Sequence, residues 1–343
     1  MTERYYNVGL RPLFWMTEDG SQFQRALQIG ELAERLGFDG LFFGDRLLAA
    51  VSHGAVPVYN STHPDIMTVL AAFAARTTTV RIGSLVMVVP FRHPVQLAKS
   101  VASLDLLAHG RVILPVGGGW NAHEFATLGI PRNEAGARLE EGLTIMKRLW
   151  VEDHVDYDGR FYQLRDVTIE PKPIQPGGPP IWFGSLEPPT DFNARPQNPA
   201  TVERVLRRVA RFGDGWVPLN YSTLTKSSID PTWIGESWGR ILAYAREAGR
   251  DPQRFQYVSS HWYYVTMNDE DRRDCERSLR HFFSGTFEEA VETYLIGSPD
   301  DILRKIERLT AHVGKADWYI FTQLGLSERQ AELLAEHVMP HLR

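Results

Sequence analysis

Residues 111–125 of this 343-residue chain read RVILPVGGGWNAHEF. In this stretch an apolar run meets three successive glycines, and an aromatic residue and an amide follow, Trp120 and Asn121. A short apolar run bounded by glycine indicates a buried strand, and glycines at its carboxyl end let a ligand approach the main chain. Ligands bind at that position in α/β sheets and barrels. The stretch therefore predicts a buried strand with a ligand site at its carboxyl end.

The same order of strand, short loop and helix recurs along the chain. Eight strands that alternate with helices predict a (β/α)₈ TIM barrel, a single domain over residues 1–343 with insertion segments at the carboxyl-terminal face. The insertions are predicted at about 151–170, 186–200 and 219–236, and the second is a candidate lid. The predicted strands are 6–10, 40–43, 80–87, 111–116, 181–183, 215–217, 256–267 and 318–321.

Helix signals separate these strands. The first helix ends near Gly37, and the third follows Pro94. Asn133 is predicted to cap the helix after the fourth strand. An Asp-Gly turn predicts a hairpin over residues 155–164, which we expect to cover the outside or the rim of the barrel. Further helices are predicted from about residue 200, from Ser298 and from Ser327. The apolar faces of the first and fourth helices are Phe23, Ala26, Leu27, Gly30 and Ala33, and Leu139, Leu143, Met146 and Trp150.

Composition excludes several classes of protein. The net charge of −5 argues against nucleic-acid binding, which needs concentrated lysine and arginine. The amino terminus lacks the pattern of a signal peptide and no apolar run reaches the length of a membrane span, so we expect a cytoplasmic protein without a membrane partner. The only cysteine, Cys275, lies in a charged run and is expected on an exposed helix face. The eleven histidines are scattered, so no metal site is predicted.

Several segments in this order resemble the luciferase-like flavin-dependent oxidoreductase superfamily, which includes bacterial luciferase, alkanesulfonate monooxygenase and the deazaflavin F420-dependent reductases. The resemblance covers most of the chain. It is specific for the superfamily but carries little information about the substrate. The segments are residues 36–43 (LGFDGLFF), 81–94, 117–121 (GGGWN), 124–125 (EF), 157–164 (YDGRFYQL), 180–185 (PIWFGS) and 213–218 (GDGWVP).

The resemblance implies where a flavin would bind. An isolated glycine triplet is more often a tight turn, but here it follows a barrel strand and matches the family segment that faces the flavin. The family also implies a non-prolyl cis peptide behind the flavin ring, at Leu85-Val86. Gly184 and Ser185 would hold the cofactor phosphate, and the alternative for Ser185 is a helix cap or turn. The implied cofactor residues are Leu85, Val86, Gly117, Gly118, Gly119, Trp120, Asn121, Gly184 and Ser185.

Three side chains are candidates for catalysis: Arg46, Asn121 and His261. Arg46 stands where many relatives have a histidine, and it would bind an anionic substrate or steady a developing negative charge. A surface pair with Asp45 is the competing interpretation. His261 lies in the seventh strand, and the twofold period leaves open whether its ring points into the barrel mouth or into the helix layer. His93 before Pro94 is interpreted as a helix cap.

Two tryptophans on predicted strands, Trp182 and Trp216, are interpreted as core residues more readily than as ligand contacts. Apart from these side chains, the functional prediction rests on the resemblance. It implies a reduced-FMN-dependent monooxygenase that oxidises a small organic substrate with O₂. The alternative is an F420-dependent hydride-transfer enzyme, for which Arg92, Lys172 and Arg195 would supply positive charge. A non-catalytic flavin-binding protein and a barrel that binds sugar phosphates remain as further alternatives.

Two partners are also predicted. Because the glycine segment lacks the Gly-x-Gly-x-x-Gly spacing of dinucleotide sites, a separate NAD(P)H:flavin reductase would supply the reduced flavin. The resemblance implies a homodimer. The second and third barrel helices are apolar on more than one face, which favours a partner surface there. The residues concerned are Met67, Leu70, Ala71, Phe73, Ala74, Ala98, Val101 and Ala102.

Overall fold

In a computed structural model of the protein, most of the chain is described. None of the helices within that part of the chain is long and apolar enough to cross a membrane. The described residues are 6–12, 21–48, 63–185, 198–222, 227–228, 230–280, 283, 285–314 and 316–342.

The strands form a closed parallel barrel with small additions. The barrel order is β1, β2, β3 with β4, β5, β8, β9, β12 and β14, and it closes because β14 pairs with β1 and β12 pairs with β9. The antiparallel pairs β6–β7 and β10–β11 lie apart from it, and β13 extends it beside β12. The bounds are β1 Asn7–Arg11, β2 Gly40–Phe43, β3 Arg81–Ser84, β4 Met87–Val88, β5 Val112–Gly117, β6 Val155–Asp158, β7 Gln163–Val167, β8 Ile181–Gly184, β9 Gly215–Val217, β10 Tyr221–Ser222, β11 Ser227–Ser228, β12 Gln256–Val265, β13 Leu295–Gly297 and β14 Trp318–Gln323.

Helices connect the strands around the outside of the barrel, as the TIM-barrel prediction requires. The predicted starts at Ser298 and Ser327 are confirmed, since both side chains accept a hydrogen bond from the first turn of the helix that follows. The bounds are α1 Gln22–Arg35, α2 Ile66–Arg76, α3 Pro94–Leu107, α4 Ala122–Thr127, α5 Ala135–Val151, α6 Pro199–Phe212, α7 Pro231–Glu247, α8 Asp269–Leu279, α9 Phe287–Thr293, α10 Pro299–Thr310, α11 Glu328–His337 and α12 Met339–Leu342.

Large aromatic side chains fill the interior of the barrel. Phe42 stacks on Trp182 at 5.8 Å between ring centroids, and Trp318 lies edge-on to Phe42 at the same distance. Strand glycines make room for them: a β-carbon on Gly9 would lie 2.7 Å from the Phe42 ring, and one on Gly215 would lie 2.6 Å from Trp182. Because the interior is packed in this way, we expect a ligand of the barrel to bind at the carboxyl ends of the strands. We call that end the barrel mouth.

The first insertion covers the outside of the barrel. Strands β6 and β7 form the predicted hairpin, and its turn is closed by a hydrogen bond from the Gly159 N–H to the Tyr162 carbonyl. The carboxylate of Glu141 on α5 accepts the N–H groups of Phe161 and Tyr162, at 3.0 and 2.9 Å. The hairpin therefore packs against α5 on the outside of the barrel, one of the two positions predicted for it. Residues 186–197, which hold most of the second insertion and the candidate lid, lie outside the described residues.

Three local predictions are wrong. Asn133 lies inside a 3₁₀ turn, and α5 begins at Ala135 without a side-chain cap. The predicted third strand is two strands, β3 and β4, which residues 85–86 separate. Cys275 is fully buried. Strand β12 runs past the barrel to pair with β13, and an apolar cluster forms there with α8 and α9. This cluster encloses the Cys275 thiol, and burial raises the pKa of the thiol to about 12.

Candidate functional site

The break between β3 and β4 builds one wall of the barrel mouth. The Leu85-Val86 peptide bond is cis, as predicted. Leu85 packs on the interior cluster of Phe42 and Trp182. Val86 lies against the two glycines that end the neighbouring strands β5 and β8. A β-carbon on Gly117 would lie 2.8 Å from Cγ2 of Val86, and one on Gly184 would overlap its Cγ1. The structure therefore brings four of the predicted cofactor residues together.

The three glycines after β5 have different surroundings. Gly117 is buried and faces Val86. Gly118 has an ordinary φ, and a β-carbon there would meet nothing within 4 Å. Gly119 has a φ of +75°, and its β-carbon would lie 2.7 Å from Val88 and 3.0 Å from Phe125. Only Gly119 is required by the turn itself, and open space lies beside Gly118. A main chain that is bare and approachable suits a flat ring system.

Trp120 and Asn121 follow the glycines with different roles. The Asn121 side chain caps α4 by accepting the His123 N–H at 2.9 Å. Trp120 is 40% exposed. The guanidinium carbon of Arg46 lies 5.0 Å from the centre of its ring. A cation over an indole face is a favourable pair. Arg46, Trp120 and Asn121 are therefore neighbours at the mouth.

Asp45 is bound to Arg92, so the interpretation of an Asp45–Arg46 surface pair is wrong. Arg92 donates two hydrogen bonds to the carboxylate, at 2.6 and 2.9 Å, and the Val88 N–H donates a third at 2.9 Å. The Asp45 side chain is almost fully buried. Burial lowers the pKa of Arg92, but the pairs with Asp45 and Asp65 raise it by more. The pKa of Arg92 therefore lies above its ordinary value. The guanidinium of Arg92 is thus paired with the carboxylates of Asp45 and Asp65.

A second charge considered for an F420 tail, Lys172, is not at the mouth. Lys172 donates to the carbonyls of Leu149 and Glu152 at the end of α5 and pairs with Asp153. Helices that follow barrel strands end at the face opposite the mouth, so Lys172 lies at the wrong end of the barrel. Arg195 lies outside the described residues.

Ser185 and the two strand tryptophans, Trp182 and Trp216, make contacts with other residues of the chain. The Trp216 indole N–H donates to the Ser185 hydroxyl at 3.2 Å. Trp216 stacks on Trp238 of α7 in the helix layer, and Trp182 fills the barrel interior. The core interpretation is correct for both. Ser185 lies one residue beyond the end of β8, beside Gly184.

His261 faces the helix layer and is removed from the set of candidate proton donors. It shares a face of β12 with Ser259, whose hydroxyl lies 2.7 Å from its Nε2. The next residue of that face, Tyr263, bonds to the carbonyl of Gln330 on α11. Burial lowers the pKa of His261 to about 3, so the ring is neutral. His93 caps α3 by accepting the Val95 N–H, as predicted.

Two mouth residues were missed by the sequence argument. A β-carbon on Gly44, just after β2, would lie 2.7 Å from Nη2 of Arg11 and 3.5 Å from Nε2 of His63. Arg11 is the last residue of β1, and a polar residue at a barrel strand end is a signal that was available. His63 precedes Pro64 in a loop, where no periodic pattern exists. Both residues are partly buried.

A surface groove of about 780 Å³ lies away from the mouth, beside α2 and α3. Most of the residues predicted to meet a partner there are instead buried in the chain's own core, namely Leu70, Phe73, Ala74, Ala98, Val101 and Ala102. Met67 and Ala71 do line the groove. It is also lined by His93, Val95, Gln96, Lys99, Ser100, Ser103, Leu104, Leu107 and Val167.

Comparisons with known proteins agree with this architecture. A monooxygenase from Streptomyces bottropensis has the same fold, with a TM-score of 0.77 and 26% identity over 98% of this chain and 100% of that one. An F420-dependent glucose-6-phosphate dehydrogenase of Microbacterium testaceum is 37% identical over 166 residues, 47% of each chain. The oxygenase component of a flavin-dependent trigonelline monooxygenase of Acinetobacter baylyi is 29% identical over 168 residues, 48% of this chain and 44% of that protein.

These two curated relatives match over only about half of their own length. The family profile reaches much further along the chain. It is the profile of the luciferase-like monooxygenases, and it matches residues 12–294. The chain therefore belongs to the luciferase-like monooxygenase family, whose members are oxidoreductases.

Proposed function

We propose that the protein is a reduced-FMN-dependent monooxygenase that oxidises a small organic substrate with O₂. The observation that carries this proposal is the convergence of Leu85, Val86, Gly117 and Gly184 at the mouth, beside open space at Gly118. Apolar side chains next to bare main chain fit a flat, amphipathic ring. The full-length likeness to a monooxygenase supports the choice of oxygen chemistry.

Bound reduced flavin supplies the electrons and the activation of O₂, and the protein supplies the surroundings. Leu85 and Val86 would exclude water from one face of the ring. Arg46, held over Trp120, would orient an anionic group or stabilise negative charge. Asn121 uses its side-chain oxygen to cap α4, which leaves its amide N–H groups as donors. His63 replaces His261 as the candidate proton donor because it lies beside Gly44 at the mouth.

An F420-dependent hydride transfer is the second candidate, favoured by the 37% identity to an F420-dependent dehydrogenase over half the chain. The engagement of Arg92 with Asp45 and the position of Lys172 leave fewer charges for an anionic cofactor tail than the sequence suggested. FMN remains the first choice for this reason.

Titration of the purified protein with FMN, reduced FMN and F420 separates the candidates. We expect reduced FMN to bind more tightly than F420, and we expect no oxidation of NADPH by the protein with FMN alone. A separate NAD(P)H:flavin reductase, placed with this protein in the cytoplasm, should then be required for O₂ consumption. Selective binding of F420 would favour the second candidate, and binding of neither cofactor would exclude both.

A further inference from the structure

A buried carboxylate next to the mouth holds the loop that carries Arg46. Glu124 lies in the first turn of α4 and is 4% exposed. Its Oε1 accepts the N–H groups of Leu47 and Leu48, at 2.8 and 3.1 Å. These are the two residues that follow Arg46, and they lie 77 and 76 positions from Glu124 in the chain. The contact therefore joins the loop after β2 to the helix after β5.

The other side of Arg46 is held in the same manner. The buried carboxylate of Asp45 accepts the Val88 N–H and both bonds from Arg92. Arg46 thus lies between two anchored points of the main chain. A long arginine side chain loses much rotamer freedom when it takes one position, and a fixed main chain reduces the number of positions that compete.

Trp120 and Glu124 belong to one structural unit. Trp120 directly follows Gly119, and Asn121 caps the helix that carries Glu124. The bonds from Glu124 to Leu47 and Leu48 consequently set the distance between the loop of Arg46 and the ring of Trp120, which the guanidinium approaches to 5.0 Å.

We propose that Glu124 is a positioning residue of the flavin site: through the main chain of Leu47 and Leu48 it keeps the Arg46 guanidinium over Trp120, and this pair forms a wall of the cofactor pocket. The inference rests on the proposed function. Glu124 touches neither cofactor nor substrate in it, and its effect on binding passes through Arg46.

The chain offers a matched control for a purely structural role. Glu141 is also a buried carboxylate, 9% exposed, and accepts two successive main-chain N–H groups, those of Phe161 and Tyr162. It holds the outer hairpin instead of the mouth. If Glu124 only stabilises the fold, leucine at either position should have the same consequences.

The experiment measures FMN affinity and unfolding for single and paired variants of the intact protein. We expect Glu124→Leu to weaken FMN binding about tenfold, and Arg46→Met to do the same. The double variant should bind FMN no more than about twofold worse than either single variant. The losses should not add, because each substitution removes the same feature, the Arg46 guanidinium held over Trp120. Glu124→Gln should restore affinity, since its amide oxygen still accepts both N–H groups. Glu141→Leu should lower stability and leave FMN affinity unchanged.

Several outcomes would overturn the inference. They are unaltered FMN affinity in a folded Glu124→Leu protein, a roughly hundredfold additive loss in the double variant, or an equal loss of affinity in Glu141→Leu. If Glu124→Leu does not fold, Glu124→Asp replaces it, because the shorter carboxylate cannot reach both N–H groups, and the same coupling to Arg46 is expected. Failure of the unsubstituted protein to bind FMN removes the proposed function, whereas normal binding with no coupling removes this inference alone.

Discussion

The glycines of the candidate site differ in what an added side chain would contact. Substitutions at these positions can therefore distinguish an effect on ligand binding from an effect on folding. Gly118 borders open space with an ordinary φ, whereas Gly119 has a positive φ and close neighbours in Val88 and Phe125. A glycine kept for its conformation and a glycine kept for ligand access respond differently to substitution. The two positions are adjacent, so each serves as the control for the other.

We expect Gly118→Val to weaken flavin binding at least about tenfold, or about 1.4 kcal/mol, with a small effect on stability. The valine side chain would occupy the open space that the ring or its ribityl chain requires. Gly119→Val should instead lower the melting temperature, because φ is unfavourable and Val88 and Phe125 must move. Flavin titration and thermal unfolding of both variants test this. A folded Gly118→Val protein with unaltered affinity for FMN and F420 would contradict the placement of the cofactor.

His261 makes stability depend on pH. Its pKa is about 3 in the folded protein, against an ordinary 6.5, so below about pH 6.5 the unfolded chain binds a proton that the folded chain does not. Stability should therefore fall as pH decreases, by about 1 kcal/mol per pH unit between about pH 6 and 5 from this group. Denaturant unfolding of the unsubstituted protein and of His261→Gln checks the sign, since the variant should have a shallower slope. Equal slopes would mean that another group is responsible.

At the scale of elements, helix α2 depends on a distant arginine. Arg111, just before β5, is 8% exposed and donates to the carbonyls of Ala74, Thr77 and Val80 and to the Thr77 hydroxyl. Three of these acceptors lie in the last turn of α2 or directly after it, where helix carbonyls lack partners within the helix. Burial lowers the pKa of Arg111, but an arginine of this kind stays charged.

Removing this cation should leave the carbonyls buried without a donor. We expect Arg111→Met to destabilise the protein by about 3 kcal/mol or more, measured by denaturant unfolding. The stability of Arg111→Lys should lie between those of the unsubstituted protein and Arg111→Met, because one ammonium group cannot reach the same set of acceptors. FMN affinity of the folded fraction should not change, since the arginine lies at the end of the strand opposite the mouth. A loss below about 1 kcal/mol would mean that water replaces the guanidinium.

At the scale of the whole molecule, the groove beside α2 and α3 is the surface on which the homodimer prediction now depends. The apolar residues that suggested it are mostly buried in the core, and the remaining lining is mixed, with Met67, Ala71 and Leu107 beside Ser100 and Ser103. Leu107 is 46% exposed. The predicted interface is therefore narrower than the sequence suggested.

We expect light scattering to give a dimer mass at micromolar concentration and Ala71→Arg to give a monomer. The bulky cation would fill the groove without entering the core. Ala248→Arg, at an exposed position after α7, is the control and should remain dimeric. A monomer mass for the unsubstituted protein, or a dimer that survives Ala71→Arg, would contradict this interface.

Local patterns in the sequence predict the order and type of the barrel elements. Residue periods of 2 and 3.6, glycine and proline boundaries, and helix caps such as Ser298 are local properties of the chain, and they identified all eight barrel strands within a few residues. The family resemblance added the cis bond at Leu85-Val86 and the glycine segment, because both lie in continuous motifs.

The faces that these residues occupy and the partners that they bind depend on how the barrel closes and packs. A twofold period does not state which side of β12 becomes the interior, so the direction of His261 followed from barrel closure. Asp45 binds Arg92 instead of its neighbour Arg46, and Glu124 binds main chain that lies 77 positions away. Cys275 is buried because a strand extends beyond the barrel. Such contacts join segments that are distant in the chain, and no local pattern encodes the distance between them.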